Sequence, residues 1–124
     1  PPEIMYKLAE HLVKNYGKDP QVTDLVDTRD INIVPMVNVD GRIKVEEGNN
    51  WQRKNTNGTG VDLNRNFDDH WNFDGLPSNS TFERMKRQLQ DPYSEIYSGE
   101  SAFSEPPIIS INILLSSITS LPIA

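Results

Sequence analysis

The amino-acid sequence predicts an α/β fold that is rich in loops. Residues 3–16 place apolar side chains on one face of a helix, with charged side chains on the other. Residues 19–26 begin with Asp-Pro, which suits the cap and first turn of a second, short helix. Residues 31–37 (INIVPMV) are a continuous apolar run, typical of a strand covered on both faces. Helix, short helix and buried strand in this order indicate a layered α/β architecture.

The middle of the chain has few regular patterns. The sequence Asn-Val-Asp-Gly at 38–41 predicts a turn that ends the strand, and residues 42–81 predict mainly loop. Residues 82–90 predict a short exposed helix. A long irregular stretch within a compact domain is uncommon and is usually functional. We expect its aromatic side chains to pack into the core, namely Trp51, Phe67, Trp71 and Phe73.

The last 19 residues, 106–124, differ from the rest because they carry no charge. Their Ile, Leu and Ser residues lack clean helical or alternating spacing, and the prolines and serines make this segment a weak candidate for a membrane span. We interpret residues 107–124 as sequence foreign to the domain, from a changed reading frame, a retained intron or a cloning artefact.

Composition excludes several classes of function. The chain has 124 residues, which allows one domain or a piece of a larger one. Its net charge is −6 and it has no basic stripe, so nucleic acid is not expected as a partner. Cysteine is absent, which excludes a disulfide scaffold and a thiolate metal site.

Residues 51–67 (WQRKNTNGTGVDLNRNF) carry the side chains best suited to chemistry. The guanidinium of Arg65 offers a rigid fork of donors for a carboxylate, and Asn64 adds neutral donors beside it. Asp62 and Asn66 are placed to brace these side chains from behind. A loose loop separates Arg53 from Asn64 and Arg65. The guanidinium of Arg53 could lie a few ångströms from them, where negative charge develops during a reaction. Two ordinary surface arginines remain the alternative reading.

Four motifs in order connect this stretch to a family. INIVPMVNVDG, WQRKN, GVDLNRNF and YSGESAFSEP resemble the zinc metallocarboxypeptidases of the carboxypeptidase A/B type. The resemblance covers residues 1–106 and implies a central fragment of the catalytic domain, with a partial mixed β-sheet and flanking helices. Residues 107–124 do not match the family pattern.

The resemblance also implies roles for individual residues. Asn64 and Arg65 would bind the C-terminal carboxylate of the substrate, which is a peptide or protein. Arg53 would polarise the carbonyl of the last peptide bond and stabilise its oxyanion. Ser104 and Glu105 belong to a structural segment and receive no catalytic role. By the same resemblance, an extracellular location is favoured. No membrane is expected as a partner, since the tail is a weak candidate for a membrane span.

The zinc ion of the full-length family has no ligands in this chain. The family pattern is a His-x-x-Glu pair, expected just before Pro1, with a downstream histidine and a late glutamate as general base. His11 has no glutamate three residues later, and His70 stands beside acidic residues as a solvated loop histidine. We therefore predict no metal site here, and a chain that is inactive by itself.

Three alternatives remain open at this level. An aspartoacylase-like zinc deacylase shares the Asp-x-Asn-Arg-x-Phe pattern and also binds a carboxylate through it. A non-catalytic module that recognises C-terminal carboxylates through Asn64 and Arg65 needs no zinc. A truncated product that is poorly soluble, because strand edges and apolar faces are exposed, needs no function.

Overall fold

A computed structural model describes residues 2–77 and 79–119, and these form two compact units, residues 1–37 and 38–124. The first unit is a pair of helices, α1 (Pro2–Asn15) and α2 (Pro20–Thr28), followed by an extended segment. Leu12 and Val22 are the buried side chains of these two helices. Both helices confirm the sequence patterns that predicted them.

The start of α2 is fixed by the cap that the sequence predicts. The side chain of Asp19 accepts hydrogen bonds from the backbone N–H of Gln21 at 2.8 Å and of Val22 at 3.4 Å. We expect Asp19→Ala to lower the free energy of unfolding of this helix pair by about 1 kcal/mol, because the two donors lose their acceptor. Urea unfolding followed by circular dichroism measures this. Asp24→Ala, in the middle of the same helix, is the control, and equal losses in both variants would contradict the capping role.

The second unit contains three α-helices and two 3₁₀ turns within its described residues. The helices are α3 (Val39–Glu46), α4 (Ser80–Gln90) and α5 (Pro106–Thr119), and the turns are Leu63–Arg65 and Trp71–Phe73. The 3₁₀ turn Trp71–Phe73 packs on α4, where the rings of Phe73 and Phe82 stack with centroids 5.0 Å apart. The buried apolar side chains of this unit are Val61, Leu63, Leu89, Tyr97 and Ile108.

The predicted α/β class, with a partial mixed β-sheet and flanking helices, is wrong for the described residues. Residues 2–77 and 79–119 contain no β-strand, and residues 31–37 run as extended backbone in the first unit. Ile31 and Val34 are 40% and 43% exposed, so the run is not covered on both faces. An apolar run specifies burial, whereas a strand also requires a neighbour that pairs its N–H and C=O groups.

One further local prediction is wrong, and one segment without a predicted element is a helix. Residues 38–41 begin α3 instead of a turn, because the side chain of Asn38 accepts a hydrogen bond from the N–H of Gly41 at 2.9 Å and caps the helix. The uncharged tail forms α5, which starts at Pro106 in the position that a first helical turn tolerates. Within the described residues, no helix is long and apolar enough to cross a bilayer.

Trp51 also departs from the expectation that the aromatic residues pack inside. Its side chain is 92% exposed, whereas Phe67, Trp71 and Phe73 are partly buried. The ring of Phe67 meets that of Phe103 edge to face at 6.4 Å. The aromatic side chains after residue 66 therefore pack as predicted, and the one before Arg53 does not.

Candidate functional site

Arg53 and Arg65 share one buried carboxylate. The Nε of Arg53 donates to Oδ2 of Asp62 at 2.6 Å, and the Nε of Arg65 lies 3.8 Å from the same oxygen. The Asp62 side chain is 5% exposed, while those of Arg53 and Arg65 are 44% and 43% exposed. Two cations thus flank one anion that lies behind them, and the guanidinium groups reach solvent.

The 3₁₀ turn Leu63–Arg65 places Arg65 next to Asp62. Oδ1 of Asp62 accepts from the N–H of Asn64 at 3.3 Å, and the Asp62 carbonyl accepts from the N–H of Arg65 at 2.8 Å. In a 3₁₀ turn the side chains three residues apart lie above one another. Asp62 therefore caps the turn and faces Arg65 for the same local reason.

Arg53 is brought to Asp62 by a closed loop. The N–H of Asn55 donates to the carbonyl of Val61 at 2.9 Å, and the N–H of Val61 donates to the Asn55 side chain at 2.7 Å. Gly60 has φ +79°, and a Cβ there would lie 2.6 Å from the Asn55 carbonyl oxygen. The stretch that the sequence indicates as loose is therefore closed at its base by these bonds.

Asn66 lies at the centre of a buried polar network behind the arginines. It is 0% exposed, and its Oδ1 accepts from the N–H of Glu105 at 3.0 Å. Its Nδ2 lies 2.7 Å from the carbonyl oxygen of Ser98 and 2.9 Å from that of Ser101. Its own carbonyl accepts from the N–H of Phe103 at 2.7 Å. The side chain and backbone carbonyl of Asn66 thus fix the loop 98–105, which belongs to the YSGESAFSEP motif.

Glu105 extends the network to the WQRKN motif. It is 4% exposed, and its Oε2 accepts from the side-chain amides of Asn55 at 2.5 Å and Asn57 at 3.3 Å. The nearby Lys54 is also buried, and its Nζ donates to the carbonyl of Pro92 at 2.9 Å. The structural assignment of Glu105 is consistent with these contacts, which hold segments far apart in the sequence against one another.

The backbone of Tyr97 connects the YSGESAFSEP motif to the site that Arg53 and Arg65 form around Asp62. Its carbonyl accepts from the N–H of Asp62 at 2.9 Å, one residue before the 3₁₀ turn. Burial raises the pKa of the Tyr97 hydroxyl, and the charges of Glu100 and Glu105 raise it further. The residue stays a neutral phenol as pH rises through its ordinary value of 10.0.

A cavity of about 320 Å³ lies beside Asn64 and Arg65, which form part of its wall. Most of the remaining wall is apolar and comes from the 3₁₀ turn Trp71–Phe73, its flanks and α4. Its apolar lining side chains are Phe67, Trp71, Phe73, Leu76, Met85 and Leu89. Apart from the aromatic residues themselves, no sequence pattern indicates this cavity.

The described residues do not fit a zinc centre. A catalytic zinc needs three protein ligands and an open position. Within the part of the chain that the structure describes, no three His, Asp or Glu side chains are grouped to hold a metal ion. Nδ1 of His70 lies 2.8 Å from Asp69 Oδ1, and Nδ1 of His11 lies 3.1 Å from Asn15 Nδ2.

The structure brings together the residues that the sequence singled out. Arg53, Asn64 and Arg65 surround Asp62, whose bracing contacts match the sequence interpretation. Asn66 braces the loop 98–105 instead of the arginine side chains. Lys54 and Asn55 also hold this site together, and their motif position next to Arg53 is the sequence signal that indicates them.

Comparison with known proteins places the chain in a family. A family model described as zinc carboxypeptidase matches residues 1–122. Carboxypeptidase D of Anas platyrhynchos is 46% identical over 72 residues, which cover 56% of this chain and 5% of that protein. Carboxypeptidase B of Bos taurus is 35% identical over 110 residues, covering 84% and 24%. Carboxypeptidase A5 of Homo sapiens is 37% identical over 109 residues, covering 83% and 22%.

This chain spans a quarter or less of the length of each of these three relatives. The family description includes zinc, as the resemblance implied. Since the family match runs through nearly all of the sequence, this chain belongs to the zinc carboxypeptidase family, as its four motifs predicted.

Proposed function

We propose that this chain carries the substrate-carboxylate site of a metallocarboxypeptidase that hydrolyses the C-terminal peptide bond of peptides or proteins. The observation that supports this is the sharing of the buried Asp62 by Arg53 and Arg65. A carboxylate between two guanidinium groups satisfies only part of their donors, because each guanidinium carries five N–H groups. The arrangement suits a second anion from solvent.

The two arginines take different roles in this proposal. Arg65 and Asn64 bind the terminal carboxylate, with the guanidinium fork donating to its oxygens. Arg53 faces the carbonyl of the last peptide bond and stabilises the negative charge that develops on its oxygen. Both Nε atoms lie close to one Asp62 oxygen. This closeness supports the roles, because a terminal carboxylate and the preceding carbonyl are about one residue, roughly 3.5 Å, apart.

Zinc, where the family holds it, would activate the water that attacks the peptide bond, and the described residues of this chain are not grouped to hold it. We therefore propose that this chain binds the end of a peptide and does not cleave it by itself. Residues 1–106 are proposed as part of the catalytic domain. The uncharged composition of residues 107–124 supports their interpretation as a divergent tail, although the family match extends to residue 122. The extracellular location stays a prediction from the resemblance.

Titration with paired peptides tests the proposed site. The chain is titrated calorimetrically with one hexapeptide in two forms, a free C-terminal acid and a C-terminal amide. We expect the acid to bind at least about tenfold more tightly, because charge-assisted hydrogen bonds to the carboxylate are lost in the amide. Raising the salt concentration should narrow the difference, since the guanidinium groups are partly exposed. Equal affinities would contradict the proposed function.

A further inference from the structure

We propose that Asn57 is a site of spontaneous deamidation, and that the carboxylate formed there breaks a contact of the buried network around Glu105. Asn57 precedes Gly58, in the short segment that joins the WQRKN and GVDLNRNF motifs. The inference is independent of the proposed function, because it concerns the chemistry of one side-chain amide and the stability of the fold. The reactant that modifies the chain is water, and ammonia is released.

The reaction is an attack of the backbone on the neighbouring side chain. The backbone nitrogen of Gly58 gives up its proton to a base in solution and forms a bond to Cγ of Asn57. The amide nitrogen takes up a proton and leaves as ammonia, and a five-membered succinimide ring remains. Water then opens the ring at either carbonyl, which gives aspartate or isoaspartate at position 57. In sum, an amide and a water molecule become a carboxylic acid and ammonia.

The backbone nitrogen of Gly58 is open to this reaction. Residues 56–59 are exposed, and a Cβ at Gly58 would meet no atom within 4 Å. Among the residues that the structure describes, no acceptor receives a hydrogen bond from the N–H of Gly58. Gly58 has φ +58°, in a turn that the N–H of Gly60 closes by donating to the Asn57 carbonyl at 2.8 Å. Since glycine has no side chain, the attacking nitrogen is not shielded.

The side chain of Asn57 is held only loosely. Its Nδ2 donates to Oε2 of Glu105 at 3.3 Å, just beyond the usual range for such a bond. The side-chain amide of Asn55 donates to the same oxygen at 2.5 Å and is buried. The Asn57 side chain can therefore leave Glu105 and turn toward the Gly58 nitrogen, while the shorter bond from Asn55 stays in place.

Asn79 provides an internal comparison, because it is also exposed. Its Oδ1 accepts hydrogen bonds from the N–H groups of Thr81 and Phe82, both at 3.0 Å, and so caps α4. These two bonds fix the orientation of the carboxamide, and the side chain of Ser80 shields the nitrogen that would attack it. We therefore expect Asn57 to lose its amide before Asn79 does.

Deamidation reverses the role of residue 57 toward Glu105. The amide donor becomes a carboxylate, which can only accept, and it lies beside a carboxylate that is 4% exposed. Two carboxylates at such a distance repel each other, and they do so more strongly away from water. Glu105 also accepts from Asn55, whose side-chain oxygen accepts from the N–H of Val61 and closes the base of the loop. The product should therefore weaken the link between the WQRKN and YSGESAFSEP motifs and lower the stability of the second unit.

The site is tested by incubating the full chain at mildly alkaline pH. The chain is produced in a bacterial host, because Asn57-Gly58-Thr59 also fits the N-glycosylation pattern and a glycan would block the amide nitrogen. Peptide mapping by mass spectrometry locates each amide that is lost, and we expect the first loss at residue 57. Asn57→Gln should keep its amide, because cyclisation would then require a six-membered ring. An earlier loss at Asn79, or at any other asparagine, would overturn the assignment.

A pair of variants with matched shape tests the effect on the fold. Asn57→Asp carries the product carboxylate from the start and should shift the urea midpoint of unfolding, followed by circular dichroism, to lower concentration. Asn50→Asp is the control, because Asn50 is exposed on the same unit and the same added charge there should leave the midpoint unchanged. An unchanged midpoint in Asn57→Asp would overturn the role of the contact with Glu105. Equal shifts in both variants would overturn it as well, because the added net charge would then explain them.

Discussion

Arg65→Met is expected to remove most of the preference of this chain for a free over an amidated C-terminus. Methionine keeps much of the length of arginine and lacks its donors. A charge-assisted hydrogen bond contributes about 1.5–3 kcal/mol, and partial exposure of Arg65 to solvent lowers that contribution, so we expect roughly a tenfold loss for the acid. The affinity for the amide should change little, because the amide makes no ion pair with Arg65. Calorimetric titration with both peptides measures the two effects.

Arg84→Met is the matched control for this variant. Arg84 lies exposed on α4 and does not line the cavity or contact Asp62, so its replacement removes the same charge elsewhere on the same unit. If the acid loses affinity equally in both variants, the preference comes from the overall charge of the chain, and Arg65 has no special role. A loss of amide binding in Arg65→Met, equal to that of the acid, would instead indicate a damaged fold.

The helices could be predicted from the sequence because their signals are local. The pattern of residues 3–16 and the Asp19-Pro20 pair specify α1 and α2 through neighbours within a few positions. The strand predicted for residues 31–37 was wrong because a strand depends on hydrogen-bond partners far away in the sequence. The sequence predicted no helix for the tail because α5 has apolar side chains on all sides, and an evenly apolar helix shows no periodic pattern.

The residues of the site were predictable, and the contacts that hold them were only partly so. Arg53, Asn64 and Arg65 lie in recognisable motifs, and Asp62 could be expected near Arg65 because the two lie three positions apart in a tight turn. The bond from Asn55 to Glu105 joins residues 50 positions apart, and no local pattern reports it. The cavity likewise depends on how the segment 70–73 packs on α4. His70, Asn72 and Phe73 have left-handed φ angles there, and no sequence pattern predicts them.

Asn66→Leu is expected to lower the free energy of unfolding of the second unit by about 3–5 kcal/mol. Leucine is close to asparagine in shape and cannot hydrogen-bond. The buried N–H of Glu105 would lose its acceptor, and the carbonyls of Ser98 and Ser101 would each keep only a longer bond, from Trp71 Nε1 at 3.4 Å and from the N–H of Ser104 at 3.3 Å. A buried polar group left without a partner costs about 1–3 kcal/mol. Urea unfolding followed by circular dichroism gives the change in free energy.

Asn64→Leu is the control for this effect, because Asn64 is two residues away and exposed. We expect it to change stability by no more than about 0.5 kcal/mol, while it weakens binding of the peptide acid. Gly99→Ala tests the same network from the facing loop. Gly99 has φ +91°, and a Cβ there would lie 2.7 Å from Nδ2 of Asn66 and 2.6 Å from the Ser104 hydroxyl oxygen. If Asn66→Leu and Asn64→Leu are equally stable, the arginine site does not depend on the buried network, and the three motifs around it are held together by apolar packing alone.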